Sequence, residues 1–221
     1  MSSAAALDAG LETLGLDLNP AQKQQLLDYA ALIQKWNKVY NLTALRAEES
    51  ILSHHLLDCL AALSPLRAWA DQAGLAAPQI LDVGSGAGLP GLVWAVCQAD
   101  WQIHTIDTVG KKAAFMQQAA ASLGLKNVTV HHARVEHLAE KSPLRYDLIT
   151  SRAFASLADF VGLTAAALAK DGVWAAMKGK TPSEEELAAL PHDAEITRVE
   201  ALQVPQLAAD RCLVWLHQRT R

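Results

Sequence analysis

The stretch Ile80-Leu81-Asp82-Val83-Gly84-Ser85-Gly86-Ala87-Gly88-Leu89-Pro90-Gly91, ILDVGSGAGLPG, decides the fold. A short apolar run of strand composition passes directly into four glycines and then into a helix-like segment around Leu89–Cys97. Glycine lets the backbone turn sharply and come close to a ligand, and the following helix start offers free N–H groups. A strand, a glycine loop and a helix in that order form the first unit of a nucleotide-binding α/β domain.

Downstream, short apolar runs alternate with helix-like stretches. QILDV (79–83), WQIHTID (101–107), NVTVHHA (127–133), YDLITSRA (146–153) and GVWAAMK (172–178) read as strands. Lys111–Leu123 reads as a helix closed by Gly124. Strands alternating with helices imply an α/β fold with a parallel sheet. The tail differs: EITRVEAL (195–202) and RCLVWLHQ (211–218) are separated only by the loop QVPQLAAD, which fits an antiparallel pair at the sheet edge. The acidic trio Glu184–Glu186 reads as a solvated helix start.

Upstream, the chain reads as helices. Asn19 followed by Pro20 is a helix start, and Leu26, Ala30, Ile33, Trp36 and Tyr40 make an apolar stripe behind it. A second helix is expected after Glu49, with Leu52, Leu56, Leu60 and Leu63 on one face and Pro65 beyond its end. Gly74 to Pro78 is a breaker-rich connection. The chain therefore divides into a helical extension, 1–77, and a cofactor-binding domain, 78–221.

Composition narrows the class. Hydrophobic residues make up 51% of the chain, enough to bury a core. No apolar run reaches the ~18 residues that span a bilayer, and MSSAAALDAG lacks the basic start and apolar centre of a secretion signal. Cys59, Cys97 and Cys212 are odd in number and far apart, which suits buried thiols in a reducing compartment. The expectation is a cytoplasmic protein, a monomer, with no membrane partner and no metal. The histidine pairs His54-His55 and His131-His132 lack an accompanying carboxylate cluster at ligand spacing. A net charge of −4 argues against a protein that coats nucleic acid, though a local basic patch is compatible with it.

The spacing Gly84, Gly86, Gly88 is G-x-G-x-G, whereas dinucleotide sites favour G-x-G-x-x-G. Asp82 two residues before the first glycine disfavours a pyrophosphate and suits a ligand with a cationic amine. Asp107, about twenty residues past the loop at the end of the second strand, stands where a carboxylate accepts ribose hydroxyls. A ribose, an ammonium group and no phosphates together describe S-adenosylmethionine. The competing reading has Asp82 capping the loop and Asp107 capping the next helix.

The fourth strand ends in DLITSRAFASLADF, which places Ser151 and Arg152 where such enzymes hold their acceptor. The segment has neither the [DN]PP[YF] pattern of amino-group methylation nor the nucleophilic cysteine of carbon-5 methylation. A site without base or nucleophile suits an acceptor that already has a free lone pair, such as guanine N7. If Arg152 touches the base, it should bind O6 alone, because N7 must stay open. A structural ion pair is the alternative for Arg152.

The segments ILDVGSGAGLPG, DTVGKKAAFM, ARVEHL, YDLITSRAFASL, MKGK and QVPQLAADRCLVW, with WNKVYNLTALR and HHLLDCL upstream, resemble the RsmG (GidB) family of 16S rRNA guanine-N7 methyltransferases. The resemblance implies a Rossmann-like class I methyltransferase with a seven-stranded, mostly parallel sheet and an N-terminal helical extension. It implies methyl transfer from S-adenosylmethionine to N7 of one guanine in the decoding-region loop of 16S rRNA, on the small ribosomal subunit. By motif, Gly84 and Leu89 would line the cofactor, Val135 and Glu136 would flank the adenine, and Arg152 would close the pocket. His54 and Asp58 become candidates for a contact between helix and sheet. Ala87 stands where relatives often carry proline. The expected cofactor set is thus Asp82, Gly84, Gly86, Gly88, Leu89, Asp107, Val135, Glu136 and Arg152, and the expected catalytic pair is Ser151 and Arg152. Arg134, Lys178, Lys180 and Arg211 are the expected RNA contacts, with Lys111 and Lys112 as weaker candidates.

Two other classes compete. A nicotinamide oxidoreductase needs dinucleotide spacing and a placed acid for hydride transfer. A non-catalytic RNA-binding module needs the basic loops but neither the glycines nor Asp107.

Overall fold

The computed structural model describes residues 2–40, 42, 48–141, 143–154 and 156–219. Residues 41 and 43–46 of WNKVYNLTALR and residue 155 of SRAFASL lie outside them.

Helix α1 (Ser3–Leu14) is capped by the Ser2 side chain. Helix α2 (Pro20–Tyr40) starts as its sequence predicts. Asn19 Oδ1 accepts the Gln22 N–H and Gln22 Oε1 accepts the Asn19 N–H, each at 3.0 Å, a reciprocal box with proline at the first position. Leu26, Ala30 and Ile33 are buried, but the stripe ends early, since Tyr40 is exposed.

The expected second helix is divided. It comprises α3 (Glu48–Ile51), a π-helical stretch Leu52–Leu57 and α4 (Asp58–Ala61). Leu52, Leu56, Leu60 and Leu63 are all buried, as the spacing predicts. Pro65 does not end this run. It is the third residue of α5 (Leu63–Gln72), in a first turn whose N–H groups have no helical partner, so its missing donor costs little. The π stretch carries His54 and His55 and delivers Asp58 directly after it.

The remaining elements are β1 (Gln79–Val83), α6 (Gly91–Cys97), β2 (Gln102–Asp107), α7 (Gly110–Ser122), β3 (Val128–His132), α8 (Val135–Lys141), β4 (Tyr146–Arg152) and α9 (Leu157–Thr164). They continue through the 3-10 turn Ala165–Ala167 to β5 (Leu168–Lys178), α10 (Glu184–Ala188), β6 (Ala194–Ala201) and β7 (Cys212–Gln218). The seven strands run β3-β2-β1-β4-β5-β7-β6. Strands β1 to β5 pair in parallel, and β7 is antiparallel to both β5 and β6. This is the expected mostly parallel sheet with an antiparallel hairpin at one edge.

The topology fixes where a ligand binds. From β1 the chain moves outward through β2 and β3, and then returns to place β4 on the other side. The crevice of such a sheet opens beyond the carboxyl ends of the strands on either side of this switch, here β1 and β4. Val83 lies in register with Ser151, so the glycine loop and the post-β4 segment leave the sheet side by side.

One continuous core joins α1, α2 and the helices of 48–72 to α6, α7 and one face of the sheet, while α8 and α9 cover the other face. The polar side chains of α2 fit this packing. Gln22 Nε2 donates to the Val96 carbonyl at 3.0 Å and Gln25 Nε2 to the Leu123 carbonyl at 2.7 Å, satisfying carbonyls at helix ends that would lack partners. All three cysteines are free and buried. Among the described residues, no helix is long and apolar enough to cross a membrane.

Candidate active site

The glycine loop is anchored at both ends. The N–H groups of Gly84 and Ser85 donate to the Ile106 carbonyl, at 2.9 and 3.2 Å, and the Ser85 hydroxyl donates to the Asp82 carbonyl at 2.7 Å. Gly88 has φ of 81°, and a Cβ there would come within 2.7 Å of Leu92 and 3.0 Å of the Tyr29 hydroxyl. That hydroxyl donates to the Ala87 carbonyl, so α2 holds the loop from behind.

Asp82 departs from the ammonium-binding expectation. It is 0% exposed, and its Oδ2 accepts the Gly91 N–H at 2.9 Å. Its Oδ1 has no partner among the described residues. The carboxylate therefore fixes the start of α6 from inside the protein, which is the capping alternative. Burial raises its pKa from 3.8 to about 7, against the lowering effect of the Gly91 N–H. The folded state thus keeps a proton that the unfolded chain has released, so stability falls as pH rises from about 4 through 7. Asp82→Asn is expected to flatten this part of the profile. Urea midpoints at pH 5 and pH 8 check it, and an unaltered slope would assign the pH dependence to another group.

Asp107, 6% exposed, is the hinge of the site. Its Oδ2 accepts the Gly86 N–H at 3.0 Å, its Oδ1 accepts the Val109 N–H at 2.8 Å, and Lys112 Nζ lies 3.7 Å away. One carboxylate thereby ties the glycine loop to the start of α7, combining the capping reading with a place on the ligand side. Asp107 lines a cavity of about 420 Å³ together with Gly84, Val135 and Glu136. Arg134 stands on the same cavity and pairs with Glu136 at 3.0 Å. The backbone N–H of Glu136 itself, then Arg134, holds the Glu136 carboxyl below its ordinary range. Gly86, Gly88 and Leu89 shape the loop but do not line this cavity, and Leu89 is buried in the core.

A second cavity, of about 630 Å³, opens beyond β4 and β5. Ser151, Arg152, Lys178, Lys180 and Arg211 all line it, which brings the expected catalytic pair together with three of the four expected RNA contacts. Arg134 is the exception. The register of β7 explains Arg211: Cys212 pairs with Lys178, so the start of β7 lies at the carboxyl end of β5.

Sequence reasoning missed Phe154, which among the described residues is the one side chain that lines both cavities. It follows Ala153, whose φ of 60° is uncommon for a residue with a Cβ and marks a strained turn. Its ring packs against Phe160 at 5.7 Å. An aromatic two residues past Arg152, just beyond the strand end, was the available signal.

Arg152 lines the larger cavity and not the smaller one. It donates to the His54 carbonyl at 3.0 Å and to Asp58 Oδ2 at 3.3 Å, while Arg211 Nε donates to Asp58 Oδ1 at 3.0 Å. A single buried carboxylate at the start of α4 thus binds both arginines. The ion-pair alternative and the pocket reading are therefore both features of one residue. His54 contributes its carbonyl, and its ring meets the Ser53 hydroxyl at 2.8 Å. Burial, then the neighbouring Arg152, lowers the His55 pKa to about 4, so that imidazole is neutral near pH 7.

The acidic trio starts α10 with Glu184 and Glu185 exposed, as expected, and departs from expectation at Glu186 alone. Ser183 caps α10, but Glu186 turns inward to Lys178 at 2.6 Å and joins the lining of the larger cavity. His131 pairs with His104 at 3.0 Å, and His132 reaches the Thr108 carbonyl at 3.2 Å. Among the described residues, no three His, Cys, Asp or Glu side chains group as a metal site requires.

A doubly wound sheet with a glycine loop after β1, a carboxylate closing β2 and an adjoining cavity over β4 defines the Rossmann-like nucleotide-binding class. The family model described as rRNA small subunit methyltransferase G (GidB) matches residues 22–214, and the chain belongs to this family. It is 55% identical over 216 residues to the ribosomal RNA small subunit methyltransferase G of Acidovorax sp. (strain JS42), covering 96% of this chain and 93% of that one. The fold resembles TrmN from Thermus thermophilus, with a TM-score of 0.56 and 18% identity over 76% of this chain and 53% of that one. It also resembles the ribosomal protein L11 methylase of Lactobacillus delbrueckii subsp. bulgaricus, with a TM-score of 0.50 and 14% identity over 79% of this chain and 80% of that one.

Proposed function

We propose that the protein transfers the methyl group of S-adenosylmethionine to N7 of a guanine in the 16S rRNA of the small ribosomal subunit. The observation that carries this reading is the pair of cavities meeting at Phe154, one suited to the methyl donor and the other to a base. Membership in the small-subunit rRNA methyltransferase family supports the substrate class.

The smaller cavity fits the donor. Gly84 leaves its wall open, since a Cβ there would meet nothing closer than Phe154 at 3.8 Å. Asp107 retains carboxylate lone pairs for ribose hydroxyls, and Val135 offers an apolar surface to a purine. S-adenosylmethionine supplies, when bound, a methyl group carried on a positively charged sulfur. Guanine N7 already holds a lone pair and no proton, so this chain has no proton to remove there. Its residues orient the base instead, and orientation supplies most of the rate in such a reaction. Arg152 is directed to the base O6 or to a phosphate, because N7 must remain open. Ser151 offers a neutral hydroxyl on the cavity wall. Lys178, Lys180 and Arg211 supply positive charge to the RNA backbone, which positions the strand without reading its sequence.

In this reading the helical extension, 1–77, braces the methyltransferase domain, 78–221. Tyr29 supports the glycine loop and Asp58 supports the arginines of the base cavity. Calorimetric titration of the purified protein tests the donor assignment. S-adenosylmethionine is expected to bind and NAD to give no heat of binding. The reverse result would favour the oxidoreductase reading, and silence with both ligands would favour an RNA-binding module.

A further inference from the structure

We infer that Glu186 reads the Watson–Crick edge of the acceptor base and selects guanine over adenine. The inference rests on the proposed methyl transfer to guanine N7.

The larger cavity is rich in hydrogen-bond donors, from Ser151, Arg152, Lys178, Lys180 and Arg211. Two of the carboxylates on its wall differ in what they have left to offer. Asp58 has one arginine on each oxygen. Glu186 receives the Lys178 ammonium at 2.6 Å and the Leu157 N–H at 3.4 Å, both on Oε1. Among the described residues, nothing donates to its Oε2. Leu157 is the first residue of α9, so a free helix-start N–H and an ammonium together hold the carboxylate in place. Glu186 thus has a fixed orientation and an unused acceptor atom.

The direction agrees with the chemistry. The donor cavity lies over β1, β2 and β3, and Phe154 is its border with the base cavity. Glu186 stands on α10, which follows β5, on the far side of β4 from β1. A guanine that turns N7 toward the donor turns its opposite edge toward α10. That edge carries two donors, N1–H and the N2 amino group, and the unused Oε2 accepts from the amino group. Adenine presents a lone pair at N1 there and repels the carboxylate. Phe154, Phe160 and Leu157 supply apolar surface around the base.

The test uses small-subunit RNA bearing guanine or hypoxanthine at the target position, since hypoxanthine keeps N7 and N1–H but lacks the N2 amino group. Initial rates of labelled methyl transfer give kcat/KM for each substrate. The wild-type protein is expected to prefer guanine by roughly ten- to a hundred-fold, the scale of one hydrogen bond to a charged group. Glu186→Gln is expected to lose most of that preference while binding S-adenosylmethionine as before. Glu185→Gln, which neutralises the exposed carboxylate beside it on α10, is expected to keep it. Full guanine preference in Glu186→Gln, or its equal loss in Glu185→Gln, would overturn the inference. Absence of methyl transfer to guanine by the wild type would overturn the underlying reading instead.

Discussion

Replacing Asp58 with alanine is expected to cost about 3–5 kcal/mol of folding stability, the scale for removing one partner of a buried charge pair. Its side chain is 4% exposed and is shared by Arg152 and Arg211, so the loss leaves two partly buried guanidinium groups facing each other. Methyl transfer should fall at least a hundred-fold or so, because both arginines line the base cavity and small misplacements of such groups are costly. Urea unfolding and initial rates measure the two effects. Asp58→Asn keeps the shape and one acceptor oxygen, and it should fold with an intermediate loss. If Asp58→Ala retains both stability and rate, the carboxylate is not the support of the site.

The second large effect is expected from Asp107→Ala. The substitution removes the acceptor for the Gly86 and Val109 N–H groups and the carboxylate available to a ribose. Hydrogen bonds to charged groups contribute about 1.5–3 kcal/mol each. Calorimetry should therefore show S-adenosylmethionine binding weakened by roughly ten- to a hundred-fold, with Asp107→Asn between the two. Unchanged affinity in a folded Asp107→Ala protein would defeat the ribose assignment.

The sheet was legible because β1 to β5 carry short apolar runs separated by helical stretches, and because Gly84–Gly88 mark a strand-to-helix turn. Helix α2 was legible from Asn19, Pro20 and its stripe. The limits were local. Pro65 reads as a terminator only if no new helix starts beside it, and α5 does. The π stretch before Asp58 leaves no mark on apolar spacing, since Leu52 and Leu56 stay buried in either ladder.

At the site, sequence spacing located the chain segments better than it located the side-chain directions. Asp82 and Asp107 both flank the glycines, but Asp82 turns inward to Gly91 and Asp107 turns toward the cavity. Nothing in ILDVGSGAGLPG distinguishes these two orientations. Glu186 reads as solvated in sequence beside Glu184 and Glu185, and only the Lys178 contact across the cavity reverses this. Asp58 and Arg152 are brought together by the tertiary packing of the extension, a pairing no local pattern encodes.

Identifying the methylated atom tests the assignment to guanine N7 in small-subunit rRNA most directly. Small subunits from cells lacking this gene can be incubated with the protein and S-adenosylmethionine labelled in its methyl group, and their rRNA then digested to nucleosides. The expected result is one labelled product, 7-methylguanosine, from a single site in the 16S rRNA. Label on an exocyclic amine, a ring carbon or a ribose oxygen would contradict it, as would subunits that take up none.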